Sequence, residues 1–161
     1  MYSTRISRHV RAQPSVIYRA LLDPDAIAKW RVPVGMSAHV HEFDGREGGS
    51  FRVSLTYDAP TGAGKSAPRT DTYHGHFAKL VPDEQVVEIT EFETADPALQ
   101  GSMTMTTTLT EVDGGTDVRI VHEGIPDSIP VADNETGTRM ALDNLAELVE
   151  ANAAAKRAGR G

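Results

Sequence analysis

Residues 101–124, GSMTMTTTLTEVDGGTDVRIVHEG, decide the fold. Met103, Met105, Thr107 and Leu109 alternate with Thr104, Thr106, Thr108 and Thr110, so one face is largely apolar and the other all threonine. A period of two is the strand period, because successive side chains point to opposite sides of a sheet. Asp113-Gly114-Gly115 then supplies turn chemistry, and the alternation resumes with Val118, Ile120 and His122 opposed to Arg119, Val121 and Glu123. Strands joined by so short a linker pair antiparallel, since a parallel partner needs a crossover of about a dozen residues or more.

The same period runs back to Ser37. Candidate strands at 37–43, 50–58, 71–81 and 85–93 precede those at 101–111 and 116–123, with breaks at Asp44-Gly45, Gly48-Gly49, Pro82-Asp83 and Asp96-Pro97. The linker from Ala59 to Thr70 is rich in Gly, Pro, Ser and Thr and is expected to be the most mobile internal segment. Near the start, Ile6, Arg8 and Val10 alternate with Arg5, Ser7 and His9, which predicts another strand over Tyr2 to Arg11. Pro14 suits a first helical turn, and Val16, Ile17, Ala20 and Leu21 then share one face. Asp23-Pro24 reads as cap and first position of a second short helix carrying Ile27 and Trp30. Beyond the strands, Ala141, Leu142, Leu145, Leu148, Val149 and Asn152 keep helical spacing, with Asp133, Asn134 and Glu135 as cap and negative charge at the start. From about Asn134 to Ala155 this helix would be about 33 Å long. The expected architecture is α+β: a curved seven-stranded antiparallel sheet around a long C-terminal helix, with two short helices after the first strand closing one end of the groove. Residues 1–155 are expected to form one domain, and 156–161 a frayed tail.

Composition narrows the function. The 161 residues carry 16 Lys+Arg against 23 Asp+Glu, a formal charge of −7, which argues against nucleic acid and anionic membranes as partners. No apolar run reaches the ~20 residues of a membrane span, and the start MYSTRISRHVRAQ lacks a signal-peptide core, so a cytoplasmic location is expected. Without cysteine there is no disulfide and no thiolate chemistry.

An ordered set of short motifs carries a resemblance. The pieces are Arg8-x-x-x-Ala12-x-Pro14, Asp23-Pro24 with Trp30, and Phe43-Asp44-x-Arg46-x-Gly48-Gly49-x-Phe51-Arg52. Gly75-x-Phe77 before Val81-Pro82, Gly114-Gly115-Thr116, His122-Glu123-Gly124 and Gly137, expected to open the last helix, follow in order. Over about residues 5–150 the chain resembles the SRPBCC (START / Bet v 1-like) superfamily, in the branch named after the activator of Hsp90 ATPase. The resemblance implies a helix-grip fold with a cavity, usually for an apolar ligand, and no single chemistry. Many relatives carry Trp directly after the helix-opening Gly, where this chain has Thr138, so that end of the cavity is expected to be more open or more polar. Eukaryotic Hsp90 activators also carry a separate N-terminal domain, for which this chain has no room.

Gly64-Lys65-Ser66 imitates a phosphate loop, but Ala59 stands where its first Gly belongs and Pro68 opposes the helix that must follow. The pairs His39/His41 and His74/His76 each share a face, yet neither has a third ligand in phase, so no metal and no cofactor are expected. His122 shares parity with Val118 and Ile120; it is either a core histidine with a satisfied hydrogen bond or a polar group at a cavity mouth. Glu88, Glu91, Glu93 and Glu123 read as solvated strand faces, and Arg8 as one half of a salt bridge.

Strand parity and helical phase place Trp30, Phe51, Tyr57, Tyr73, Phe77, Met103, Met105, His122 and Leu142 on inward faces, as lining of a ligand cavity or as plain core. The leading expectation is a binder of a hydrophobic or amphipathic small molecule, with Tyr57, Tyr73 and His122 as its polar contacts. An enzyme of the cyclase/hydratase type would use His122 or Tyr73 as the catalytic proton-transfer group. A co-chaperone that binds Hsp90 rests on the resemblance alone. Monomer and homodimer are both left open.

Overall fold

The alternation becomes a single seven-stranded antiparallel sheet in the computed structural model, which describes residues 1–32, 35–57 and 70–158. The strands are β1 (Tyr2–Val10), β2 (Met36–Phe43), β3 (Ser50–Tyr57), β4 (Thr70–Val81), β5 (Gln85–Phe92), β6 (Met103–Val112) and β7 (Gly115–Ile125). The helices are α1 (Pro14–Leu21), α2 (Pro24–Trp30) and α3 (Val131–Ala158). The sheet order is β1-β7-β6-β5-β4-β3-β2, so the first strand closes against the last and every other neighbour is a hairpin partner. Bulges between Tyr2 and Thr4, Val40 and Glu42, and Phe77 and Lys79 add local twist, which lets so wide a sheet curl around a helix.

Each helix follows from its sequence. Asp23 accepts a hydrogen bond from the Asp25 amide at 2.9 Å, with Pro24 at the first helical position, so α2 starts where the cap chemistry places it. Ile27 and Trp30 are buried, and the Trp30 indole donates to the Ala20 carbonyl at 3.0 Å, locking α2 against α1. Helix α3 begins earlier than the sequence suggests. Its first turn is closed by the amides of Asp133 and Asn134 on the Pro130 carbonyl, at 3.0 and 3.2 Å. Gly137 therefore sits in the second turn rather than opening the helix, and the helix spans about 42 Å. One element was not expected, a short 3-10 turn at Pro97–Leu99, which Asp96 caps through the Ala98 amide at 3.0 Å. The expected mobile linker falls, up to residue 69, outside the described residues, as does the tail beyond Ala158; residues 156–158 are helical in backbone.

Two registers position the interior. Phe43, Phe51, Gly75, Thr90 and Met103 lie opposite one another across β2 to β6, and Phe77, Glu88, Met105 and His122 form the adjoining row across β4 to β7. Gly75 is required in the first row. A Cβ there would stand 2.1 Å from the Ile89 carbonyl oxygen and 3.0 Å from Phe51. Gly75→Ala is expected to destabilise by about 1–3 kcal/mol through overpacking, lowering the melting temperature by roughly 3–10 °C. A thermal melt indistinguishable from wild type would show that the strands separate to accept the methyl group.

Candidate functional site

The feature that organises the interior is a buried ion pair. Arg31 is the C-cap residue of α2, and its amide donates to the Ile27 carbonyl at 3.0 Å. The Asn144 side chain, from α3, donates to the carbonyls of Trp30 and Val32 at 3.3 and 3.1 Å, gripping the backbone on both sides of Arg31. So held, the guanidinium reaches the middle of the sheet. Its Nη1 donates to Glu88 Oε1 at 2.5 Å, its Nη2 lies 3.8 Å from the Met105 sulfur, and its Cζ stands 5.3 Å from the centre of the Tyr73 ring. Burial alone would lower the Arg31 pKa, but the adjacent Glu88 carboxylate outweighs it and the pKa is raised. Glu88 is 5% exposed, which corrects the expectation of a solvated strand face. Its alternation partners are Val86 and Thr90, both buried and facing inward.

Beside this pair lies a cavity of about 230 Å³ between α3 and the inner faces of the sheet. Its apolar walls are Trp30, Leu55, Phe92, Met103, Met105 and Ile120, and its α3 wall is built of Asn134, Gly137, Thr138 and Ala141. Arg31, Tyr73, Thr90 and His122 add polar atoms. Of the nine residues expected on inward faces, Trp30, Tyr73, Met103, Met105 and His122 meet around this space. The others lie elsewhere. Phe51 and Phe77 pack ring to ring at 5.1 Å, with Phe43 5.6 Å from Phe77, in a filled aromatic cluster. Leu142, the residue after Ala141 on α3, is fully buried in the core and does not line the cavity, and half-buried Tyr57 ends β3 opposite Met36. The nine residues therefore do not all border one cavity. Arg31, Glu88 and Asn134 were not picked out as site residues; a cationic residue directly after the helix-ending Trp30 was the available signal.

Tyr73 and His122 are two of the hydrogen-bonding groups on the wall. The Tyr73 hydroxyl is buried and has no partner among the described residues, and burial raises its pKa. His122 takes a donor from α3. Thr4 Oγ1 donates to Asn134 Oδ1 at 2.6 Å, which turns the amide nitrogen toward His122, 3.1 Å from its Nδ1. Nδ1 is then an acceptor and the ring proton sits on Nε2. Desolvation first, and the Arg31 charge second, push the His122 pKa down to about 4.

The two His-x-His pairs lie exposed on the outer face of the sheet. His41 contacts Ser54 Oγ at 2.7 Å, and His74 lies 3.2 Å from Glu93, whose carboxylate is also bound by Arg52. Among the described residues no group of three or more His, Asp or Glu side chains is placed to hold a metal ion, and no helix is long and apolar enough to cross a membrane. Arg8 pairs with Asp143 of α3 at 2.9 Å.

A curved antiparallel sheet gripping a long helix over a cavity defines a helix-grip domain of the SRPBCC type. The chain belongs to the family described as Activator of Hsp90 ATPase homolog 1-like protein, whose model matches residues 11–150. It is similar to a protein of Chromobacterium violaceum of known crystal structure, at 34% identity and a TM-score of 0.81, over 93% of this chain and 99% of that one. A protein of Rhodobacter sphaeroides (21% identity, TM-score 0.76, 92% of each chain) shares the fold. So does the AHSA1-like protein of Aeromonas hydrophila (19% identity, TM-score 0.71, 94% of each chain). No curated protein matches the chain.

The site generates two expectations. Arg31→Met strands the Glu88 carboxylate without a counter-charge and is expected to lower stability by about 3–5 kcal/mol in denaturant unfolding. The double variant Arg31→Met/Glu88→Leu should recover most of that loss; a double variant as unstable as the single one would assign the damage to lost packing instead. The second concerns pH. His122 has a folded pKa of about 4 against an ordinary 6.5, so unfolding takes up a proton between those values. The stability tied to this residue is present above pH 6.5 and is lost as the pH falls towards 4, by up to about 3 kcal/mol. Replacing His122 with Leu should flatten the slope of unfolding free energy over that window, and an unchanged slope would place the titration elsewhere.

Proposed function

We propose that the protein binds a small, mainly apolar molecule in the cavity between α3 and the inner faces of the sheet. The observation that carries this reading is a cavity of about 230 Å³ walled chiefly by Trp30, Leu55, Phe92, Met103, Met105 and Ile120, with a few polar groups set among them. Its volume sets the scale of the occupant. An apolar cavity of about 150 Å³ accommodates benzene, while drug-sized ligands fill about 300–1,000 Å³. The ligand is therefore a single-ring or short branched molecule, and a sterol or a long acyl chain would need the groove to open. Binding is favoured over a cyclase- or hydratase-like reaction, because proton transfer at neutral pH calls for a group that titrates near neutrality. His122 is pushed down to about 4 and Tyr73 is raised, so neither is poised to exchange a proton.

Thr138 gives the test. It lines the cavity from α3, and its hydroxyl donates only to the Asn134 carbonyl of its own helix at 2.9 Å. Thr138→Trp should fill the space and abolish the heat of binding of one-ring probes in calorimetry, with the melting temperature held or raised. Trp30, the chain's single tryptophan, lines the same space and reports occupancy in the unaltered protein through its emission. Wild-type protein that neither shifts Trp30 emission nor releases heat with any one-ring probe would overturn the reading.

A further inference from the structure

The chemistry of the cavity wall narrows the ligand further, on the footing of the binding reading above. We propose that the ligand is uncharged and carries an oxygen acceptor, a carbonyl above all, that takes the hydrogen bonds Tyr73 Oη and His122 Nε2 have to give.

Three observations converge. The first is the Tyr73 hydroxyl. Tyr73 packs edge-on against Phe51, with ring centres 6.2 Å apart, in surroundings where phenylalanine would fit; yet it keeps a hydroxyl that is buried and unpartnered among the described residues. A buried hydroxyl left without a partner is costly, and Tyr73 borders the cavity, so an acceptor brought in beside it relieves that cost. The second is the hydrogen-bond chain from Thr4 through Asn134 to His122 Nδ1. That chain consumes the accepting nitrogen of the imidazole and leaves Nε2–H as a donor on a residue that lines the same cavity. His122 Nε2–H can only donate and the Tyr73 hydroxyl can donate as well as accept, so an acceptor on the ligand is the partner that suits both.

The third is charge. Arg31 and Asp133 are the charged side chains on the wall. Arg31 is already neutralised by Glu88, which it bonds directly, and Asp133 is exposed and negative. A carboxylate head would enter a space with no unspent positive charge and with a carboxylate at its edge, and a cation would find Glu88 already paired with Arg31 and Asp133 out in water. Taking either out of water without a counter-charge is strongly unfavourable. A neutral carbonyl meets neither penalty.

Three probes of similar shape separate these terms by calorimetry on the full chain: acetophenone (neutral acceptor), cumene (no oxygen) and benzoate (charged). Wild type should bind acetophenone at least about tenfold more tightly than benzoate at pH 7, as expected for an unpaired buried charge. Tyr73→Phe should weaken acetophenone about tenfold and leave cumene unchanged or tighter, because only the ketone loses a bond. Since that substitution removes an unpaired hydroxyl, its melting temperature should not fall. Cumene and acetophenone responding alike to Tyr73→Phe, or benzoate binding best, would overturn this proposal while leaving the cavity as a binding site. Failure of both neutral probes to bind wild type would overturn the binding reading itself, and this inference with it.

Discussion

The Arg31–Glu88 pair is the contact on which the interior depends. It ties the end of a short helix to the centre of β5, and Asn144 of α3 holds the carbonyls of Trp30 and Val32 on either side of Arg31, so three separate elements meet around one residue. A buried ion pair contributes little net stability compared with apolar packing, but losing half of it is severe. Its consequence is therefore geometric. The pair holds α2 at a set distance above the sheet, and Trp30, the residue before Arg31, is fixed between Ala20 and the cavity. Toward β2 and β4 the space is filled by Phe43, Phe51 and Phe77; beside the pair, toward β6 and β7, it is not.

The reason for that asymmetry lies along α3. Its inward positions run Asn134, Thr138, Ala141, Leu145 and Val149 at helical spacing, with Gly137, Leu142 and Ala146 alongside. The first half of this stripe is small or polar and the second half is branched and large. Leu142, Leu145 and Val149 close the core beneath them, whereas Gly137, Thr138 and Ala141 are too short to reach the methionines of β6. A void results because one helix carries two kinds of face in succession. Close-packed interiors rarely leave such a space, and a void walled by unbranched Met side chains can adapt its shape to an occupant.

This also explains what could be read in advance. Periodicity reports which face of a strand a residue occupies, and so the sheet, its antiparallel hairpins and the long helix were legible from residues 37–123 and 141–152. It does not report depth. Phe51, Phe77 and Leu142 have the inward parity expected of them, but parity is the same for a residue that fills the core and one that borders a void. Glu88 failed for a related reason. On β5, Val87 and Ile89 are apolar on one face while Val86 and Phe92 are apolar on the other, so alternation alone does not say which side is inside. Only the cation after Trp30 resolves it, because a buried carboxylate needs a partner and Arg31 is delivered by the end of a helix.

The acidic surface and the cavity act on ligands in the same direction. A chain with a formal charge of −7 repels anions before they arrive, and its cavity then offers no unpaired positive charge to hold them. Inside, Thr4 and Asn134 commit His122 to the tautomer that leaves Nε2–H as a donor, and Glu88 absorbs the charge of Arg31. Among the described residues, Tyr73 alone keeps a buried hydroxyl without a partner. On the proposed reading, a wall that is apolar in most of its area and offers donors at Tyr73 and His122 would select by what a ligand lacks, charge and bulk, as much as by the acceptor it carries.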